Sequence, residues 1–573
     1  MAGNLFCQKR QTGERQGAEK TAAALSNTAL ADRLKPLSPF VSRAPVQWLL
    51  ALLLGLLGSA GFAPWEFPAA LAASTAGLFW LAANESRVRV AALTGFFWGL
   101  AYFASGLSWT YNSMHVYGGL PAVLSALGVL ALGALLALVP GALCAIAARI
   151  PAARAVKLVL ILPALWCLGE LVRGSWVMGF GWLSSGYAWA ESLFNVWAPV
   201  AGVYGLGLVV NVLIGAVLVL LSPYDRSRVV LRAMTAVFAG AIALVTVALD
   251  LVVWSKPAQT LEVRLVQPDL PVALTAAHEG ERLARVKAMS DRSAMAGYID
   301  LTVWPEGLFS IPVERLAPQA LAAALETAER TQGAVLFNGF SQKVDPEKPG
   351  RIAVYNSLWL AGSTEGSAPV NARAPEVAAK DQAGVIAEVY QKHHLVPFGE
   401  FVPWGFRWFV DALGIPMADQ TRGPVGGARP VEIGGAQAAL TICYENMFGE
   451  ELRAWWSHGN PQVIFNVANL GWFAPRVTDQ FTQMSVMRAL ETARPLVQAV
   501  NNAGSSLITP TGKIERSAAA GAQNLDLTVR LYTGTPTWFV RFGNALAAGA
   551  ALALLIAAAA CMRLRRREGG AAR

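Results

Sequence analysis

Charge is scarce in this chain. Asp, Glu, Lys and Arg make up 14% of its 573 residues, while 54% are hydrophobic. Soluble globular domains carry about 25% charged residues, so an ordinary water-soluble protein is excluded for the whole chain. Histidine is scarce as well, five in all, with His393 and His394 adjacent and His278 and His458 isolated in the sequence. That pattern excludes a recognisable metal-ligand spacing, and no metal is expected. No glycine-rich phosphate-binding motif occurs, which removes the case for a nucleotide cofactor. Of the five cysteines only Cys443 lies in the long stretch of ordinary composition late in the chain, so no disulfide can form within that stretch.

Long apolar runs are abundant. Stretches able to cross a bilayer as helices, about 20 residues each, occur near 46–63, 67–84, 90–110, 121–148, 157–173, 195–221, 229–253 and 542–562, and we read them as eight spans. The net charge is +9, from 46 basic and 37 acidic residues. Its placement excludes a nucleic-acid partner as the explanation. Basic residues crowd the segment before span one (Lys9 to Arg43) and every second connection after it: Arg87 and Arg89, then Arg149, Arg154 and Lys157, then Arg226, Arg228 and Arg232, and finally Arg563 to Arg567. This positive-inside alternation predicts cytoplasmic termini and an exported domain after span seven.

The chain then divides into a leader at 1–45, expected to be disordered, a seven-span domain at 46–256, an exported domain at 257–535, an eighth helix at 536–562 and a basic cytoplasmic tail at 563–573. Within the spans, Trp98, Tyr102, Trp109 and Tyr111 are expected as interfacial belt and close helix packing. Glu170 and Arg173 lie three residues apart near the outer end of span five. Charges there are costly, and a mutually neutralised pair is expected first, a contact to a lipid head group second.

In the exported domain short β-rich runs alternate with helical ones. Strands are expected at 261–266, 298–304, 334–340, 352–360, 385–390, 438–442, 463–467, 496–500 and 506–508, with helices at 315–331, near 446–458 and about 477–493. Residues 363–384 read as an inserted surface loop. This alternation predicts a layered α/β fold. Three strand ends finish in a chemically useful residue: Glu306 after Trp304-Pro305, Lys392 after Tyr390-Gln391, and Cys443 after Thr441-Ile442. Together they offer a carboxylate to take a thiol proton, a thiolate to attack an acyl carbon and an ammonium to stabilise an oxyanion.

Trp304-Pro305-Glu306, the stretch from Lys392 to Pro403, and Ile442-Cys443-Tyr444-Glu445, in that order behind seven spans, resemble the bacterial apolipoprotein N-acyltransferase family. The resemblance implies a multi-pass α-helical bundle of eight spans joined to an exported nitrilase-type αββα sandwich at 257–535. It implies Glu306 as general base, Lys392 as oxyanion stabiliser and Cys443 as nucleophile, with Glu400, Tyr444 and Glu445 lining the site and the Tyr444 amide as a second oxyanion donor. The implied partners are a phospholipid acyl donor, typically phosphatidylethanolamine, and the amino terminus of a diacylglyceryl-cysteine lipoprotein. We expect an inner-membrane monomer, ping-pong chemistry through a thioester, and no cofactor or nucleic acid. The same triad on a small amide, as a membrane-tethered amidase, is the alternative, and a non-catalytic binding component is a third reading. Trp404, Phe406, Trp408 and Phe409, or Trp472 and Phe473, are candidates for loops that dip into lipid. Two positions depart from the family pattern: Leu470 where an Asp is frequent, and Thr275-Ala276 where a Lys-Trp pair is frequent.

Overall fold

The computed structural model describes residues 43–571 apart from 177–178, 223–228, 273–277, 292–297, 317, 346–349, 363–376, 382–383, 414–418, 425–428 and 474. The leader, Thr275-Ala276 and most of the 363–384 segment therefore lie outside the described residues.

All eight apolar runs fold as helices: α1 Ala44–Ser59, α2 Pro68–Asn84, α3 Val88–Gly106, α4 Ala122–Arg149, α5 Arg154–Ser175, α6 Ala198–Leu221, α7 Val229–Asp250 and, at the far end of the chain, Ala545–Ala571. Six are long and apolar enough to cross a membrane. The other two, α1 with 16 residues and α2 with 17, are shorter than the usual span. Proline at the first turn of α1, α2 and α6 starts the helix where its missing N–H is not needed. Small residues let the helices approach closely: a Cβ on Gly55 would lie 2.2 Å from the Trp98 carbonyl, and one on Gly95 would lie 2.3 Å from that of Pro140. Trp98 and Tyr102 are buried and stacked at 4.5 Å inside the bundle, with the Trp98 indole donating to Ser74 Oγ. They are packing residues rather than members of an interfacial belt.

Glu170 and Arg173 also differ from expectation. Instead of pairing with each other, both are held by the chain that follows: Ser185 donates to Glu170 through N–H (2.7 Å) and Oγ (3.1 Å). Arg173 donates to the Phe180 and Trp182 carbonyls and to Ser184 Oγ.

Among the described residues the later domain has thirteen strands in two mixed sheets. β1 Lys256–Gln267, β2 Leu301–Val303, β3 Ala334–Val344, β4 Ile352–Gly362, β5 Val377–Asp381, β6 Gly384–Gln391 and β13 Gln523–Thr533 form one sheet in the order β13-β1-β2-β3-β4-β6-β5. β7 Val431–Ile433, β8 Ala436–Ile442, β9 Val463–Ala468, β10 Leu496–Val500, β11 Ser506–Ile508 and β12 Ile514–Ser517 form the other, in the order β12-β11-β10-β9-β8-β7. Alternation sets the layers: Leu261, Val263 and Leu265 face a core shared with Leu440, Ile442 and Ile464 of the second sheet. Val266, Val335 and Phe337 point the other way, onto Val286 and Met289 of helix α8 (Glu279–Asp291) and Ala324 and Ala328 of α9 (Pro318–Thr331).

Several expectations shift. Helix α8, the long edge strand β13 and strands β7 and β12 were not foreseen, and β5 forms within the segment read as a loop. The helix near 446–458 is instead a run of short turns, Cys443–Met447, Gly449–Leu452 and Arg453–Ser457. Its first turn is tied back by the Glu445 carboxylate, which accepts from the Ile442 amide at 2.9 Å.

Helix α10 (Arg476–Thr492) joins the sheets to the bundle. Gln480 accepts from the indoles of Trp109 (3.1 Å) and Trp182 (2.7 Å) and donates to the Ala63 and Gly106 carbonyls. At the other end, α6 is broken at Gly202 (φ 66°, ψ −170°), and the Val203 amide donates to Glu491 Oε1 at 2.9 Å. The last span, α11 (Ala545–Ala571), packs on α5 and α6.

Candidate active site

The three strand ends singled out from sequence come from both sheets: Glu306 follows β2, Lys392 follows β6, and Cys443 follows β8. Cys443 has φ 48°, a left-handed conformation that costs a side-chain-bearing residue about 1–3 kcal/mol and clusters at functional positions. The turn is held from two sides. Asn466 on the adjacent β9 donates to Thr441 Oγ1 (2.9 Å) and to the Cys443 carbonyl (3.5 Å). Glu445 accepts from Tyr390 Oη and the His393 amide (both 2.7 Å) and from the His394 amide (3.1 Å), tying the cysteine turn to the lysine loop.

Lys392 is buried and donates to Glu400 Oε1 at 2.9 Å, while its Nζ stands 3.9 Å from Glu306 Oε1. Glu400 is fixed in turn by the Val396 amide at 2.8 Å. Glu306 accepts from Asn356 Nδ2 on Oε1 (3.0 Å) and from the Asn469 amide on Oε2 (2.9 Å). The Asn469 amide also faces the Cys443 sulfur, where it favours the thiolate.

Each charge shifts its neighbours. Burial raises the Cys443 pKa well above the thiol value, and the Glu306 carboxylate adds to that rise while Lys392 opposes it. Burial also raises Glu306 above 4.5, with Lys392 pulling down and Glu400 pushing up. Burial works against the Lys392 ammonium, but Glu400, Glu306 and ionised Cys443 outweigh it and hold its pKa above the lysine value. The cluster thus pairs a protonated thiol with a carboxylate of enhanced basicity beside a permanent cation.

Of the predicted site residues, Glu306, Lys392, Glu400 and Cys443 share one electrostatic cluster. Glu445 lies beneath it as a tether. Tyr444 turns toward the bundle, its hydroxyl donating to the Gly179 carbonyl at 3.3 Å. Asn356 and the Asn469 amide went unread. A buried Asn amid the apolar residues of β4 was an available signal for the first, whereas a main-chain donor leaves none. On the chain that follows Glu400, Trp404 is 99% exposed and Trp408 69%, and Phe406 is exposed, while Phe473 packs on Trp109 at 5.0 Å. The Phe409 side chain lies outside the described residues. Among the described residues no group of three or more His, Cys, Asp or Glu is placed to hold a metal ion.

The carbon-nitrogen hydrolase model matches residues 262–529, and the apolipoprotein N-acyltransferase N-terminal domain model matches residues 54–217. An apolipoprotein N-acyltransferase from Ralstonia nicotianae is 33% identical over 534 residues, 91% of this chain and 94% of that protein. One from Bordetella bronchiseptica is 33% identical over 553 residues, 90% of this chain and 97% of that protein. The chain belongs to the apolipoprotein N-acyltransferase family. It is therefore an acyltransferase, built like other family members from an apolar helical domain and a carbon-nitrogen hydrolase domain. Among solved structures, an amidase from Nesterenkonia sp. aligns with 50% of this chain and 94% of its own, at 17% identity and a TM-score of 0.32.

Proposed function

We propose that this enzyme transfers an acyl chain from a membrane phospholipid, typically phosphatidylethanolamine, to the N-terminal amine of diacylglyceryl-cysteine lipoproteins, by a ping-pong route through a thioester on Cys443. The observation that carries this reading is the meeting of Glu306, Lys392 and Glu400 around a buried thiol on a strained turn, in a domain joined to apolar helices.

In the first half-reaction Glu306 accepts the Cys443 proton as sulfur attacks the ester carbonyl. Lys392, anchored by Glu400, faces the developing oxyanion, and the Tyr444 amide is the second donor. The tetrahedral intermediate collapses with loss of the lysophospholipid alkoxide, which takes the proton from Glu306. In the second half-reaction the lipoprotein amine attacks the thioester, Glu306 takes the amine proton, and the thiolate leaves and recovers that proton. The raised pKa of Cys443 keeps the resting sulfur protonated, and a thioester held in a dry pocket is protected from hydrolysis.

An acyl chain costs about 0.8 kcal/mol per CH₂ to draw into water, so the donor is met at the bilayer surface. The exposed Trp404, Phe406 and Trp408 supply an apolar loop suited to that surface. The alternation of basic connections supports eight spans with cytoplasmic termini and a periplasmic catalytic domain on an inner-membrane enzyme, which we read as a monomer with the domain boundaries given above.

The test is to incubate the purified protein with acyl-labelled phospholipid. Hydroxylamine-sensitive label is expected on the wild type and none on Cys443→Ala; unlabelled wild type, or equal label on the variant, overturns the mechanism.

A further inference from the structure

Asn356 lies in the middle of β4, 3% exposed, and every polar group of its side chain is committed. Its Nδ2 donates to Glu306 Oε1 (3.0 Å) and to Glu400 Oε1 (2.9 Å). Its Oδ1 accepts from Asn338 Nδ2 at 2.6 Å, which fixes the amide so that nitrogen, not oxygen, faces the two carboxylates. Asn338 is itself pinned by donating to the Ser357 carbonyl (3.0 Å). The Asn356 main chain also takes part, its carbonyl accepting from the Lys392 amide at 2.8 Å. That last bond sets the lysine loop directly against the strand that carries the amide.

Two carboxylates facing one buried ammonium leave a surplus of negative charge, and such a pair relieves it in one of two ways. One carboxylate takes up a proton, or one closes onto the cation. Glu400 already holds Lys392 at 2.9 Å, while Glu306 stands off at 3.9 Å. What holds Glu306 there is a donor on each of its oxygens, Asn356 on one and the Asn469 amide on the other. Of these two donors it is Asn356 that also touches Glu400, and so ties the base to the carboxylate that anchors the cation.

We propose that Asn356 is a positioning residue that, by donating to Glu306 and Glu400 at once, keeps Glu306 ionised as the base beside the Cys443 thiol. The proposal rests on the reading of Glu306 as the general base. Removing the amide takes a hydrogen bond from each charged carboxylate and leaves the two to repel, so the Glu306 pKa rises further and its basic form is lost at higher pH.

The test uses the full chain in phospholipid vesicles and follows the rate of hydroxylamine-sensitive labelling across pH, alongside thermal unfolding. In Asn356→Ala labelling is expected to slow on the order of 10- to 100-fold, less than the ~10²–10⁴-fold that a general base supplies. Its acid limb is expected to move up by about one pH unit, and Asn356→Ser, which keeps one donor, falls between it and wild type. An acid limb that stays in place overturns the proposal, whatever the rate. If neither variant folds, the role is structural and the proposal falls. Glu306→Gln separates the two readings: an inactive Glu306→Gln beside an unmoved limb in Asn356→Ala removes only the role of Asn356, whereas a fully active Glu306→Gln removes the base and the proposal with it.

Discussion

Charged side chains are buried in both halves of the molecule, and the two halves treat them differently. In the helical bundle Glu170 and Arg173 are closed off by one following segment: Ser185 supplies both donors to the carboxylate, and two carbonyls and Ser184 take the guanidinium. In the later domain Lys392, Glu400 and Cys443 are buried and Glu306 is partly so, yet a 3.9 Å separation is kept between cation and base, beside a thiol on a strained turn. Burial of charge is thus common to a structural tie and to a reactive cluster. What sets the reactive one apart is an interaction left open for a proton or an oxyanion.

The largest contrast concerns the two buried thiols. Cys443→Ala is expected to abolish hydroxylamine-sensitive labelling, while Cys167→Ala, whose thiol meets main-chain carbonyls of the bundle, keeps it. Equal loss in both would erase the distinction. Next come the carboxylates. Glu306→Gln is expected to slow thioester formation by about 10²–10⁴-fold with little change in thermal unfolding. Glu170→Gln should do the reverse, costing about 1–3 kcal/mol of stability by weakening acceptors for buried donors and leaving the rate of the folded protein within a few-fold.

A pH profile sharpens the contrast further. Because burial raises Glu306 above 4.5, its basic form is lost as pH falls through that raised value, so labelling should decline at a pH above the ordinary carboxylate range. Glu170→Gln should keep that limb and Glu306→Gln should lack it. The smallest effect is expected at the exposed aromatic loop: Trp404→Ala with Trp408→Ala should raise the apparent KM for vesicle phospholipid a few-fold and leave kcat unchanged. A change in kcat alone would place those residues in the chemistry instead.

Much of the architecture was legible because its signals are local. Apolar runs of bilayer length became helices, and strand-length β-branched runs such as Val463 to Val467 became strands. Glu306, Lys392 and Cys443 stood out because each closes an apolar run with a reactive group. Contacts between distant segments were not legible. Strand β13 pairs with β1 across more than 250 residues, as in Leu261 with Val529, and nothing within Gln523–Thr533 names that partner. The Asn469 amide donates to Glu306 through its main chain, which no side chain announces. Glu170 and Arg173 have the spacing of a helical ion pair, but the segment after them offered both better hydrogen bonds.

The break in α6 carries a consequence for how the molecule is made. Gly202 frees the Val203 amide, and its acceptor, Glu491, comes 288 residues later in the chain. During synthesis the sixth helix emerges long before the residue that completes it. The break in α6 is therefore completed only once α10 of the later domain is made and docks against the bundle. A helical half taken from a relative would keep this tie only if its sixth helix breaks at the same turn and presents a free amide to Glu491.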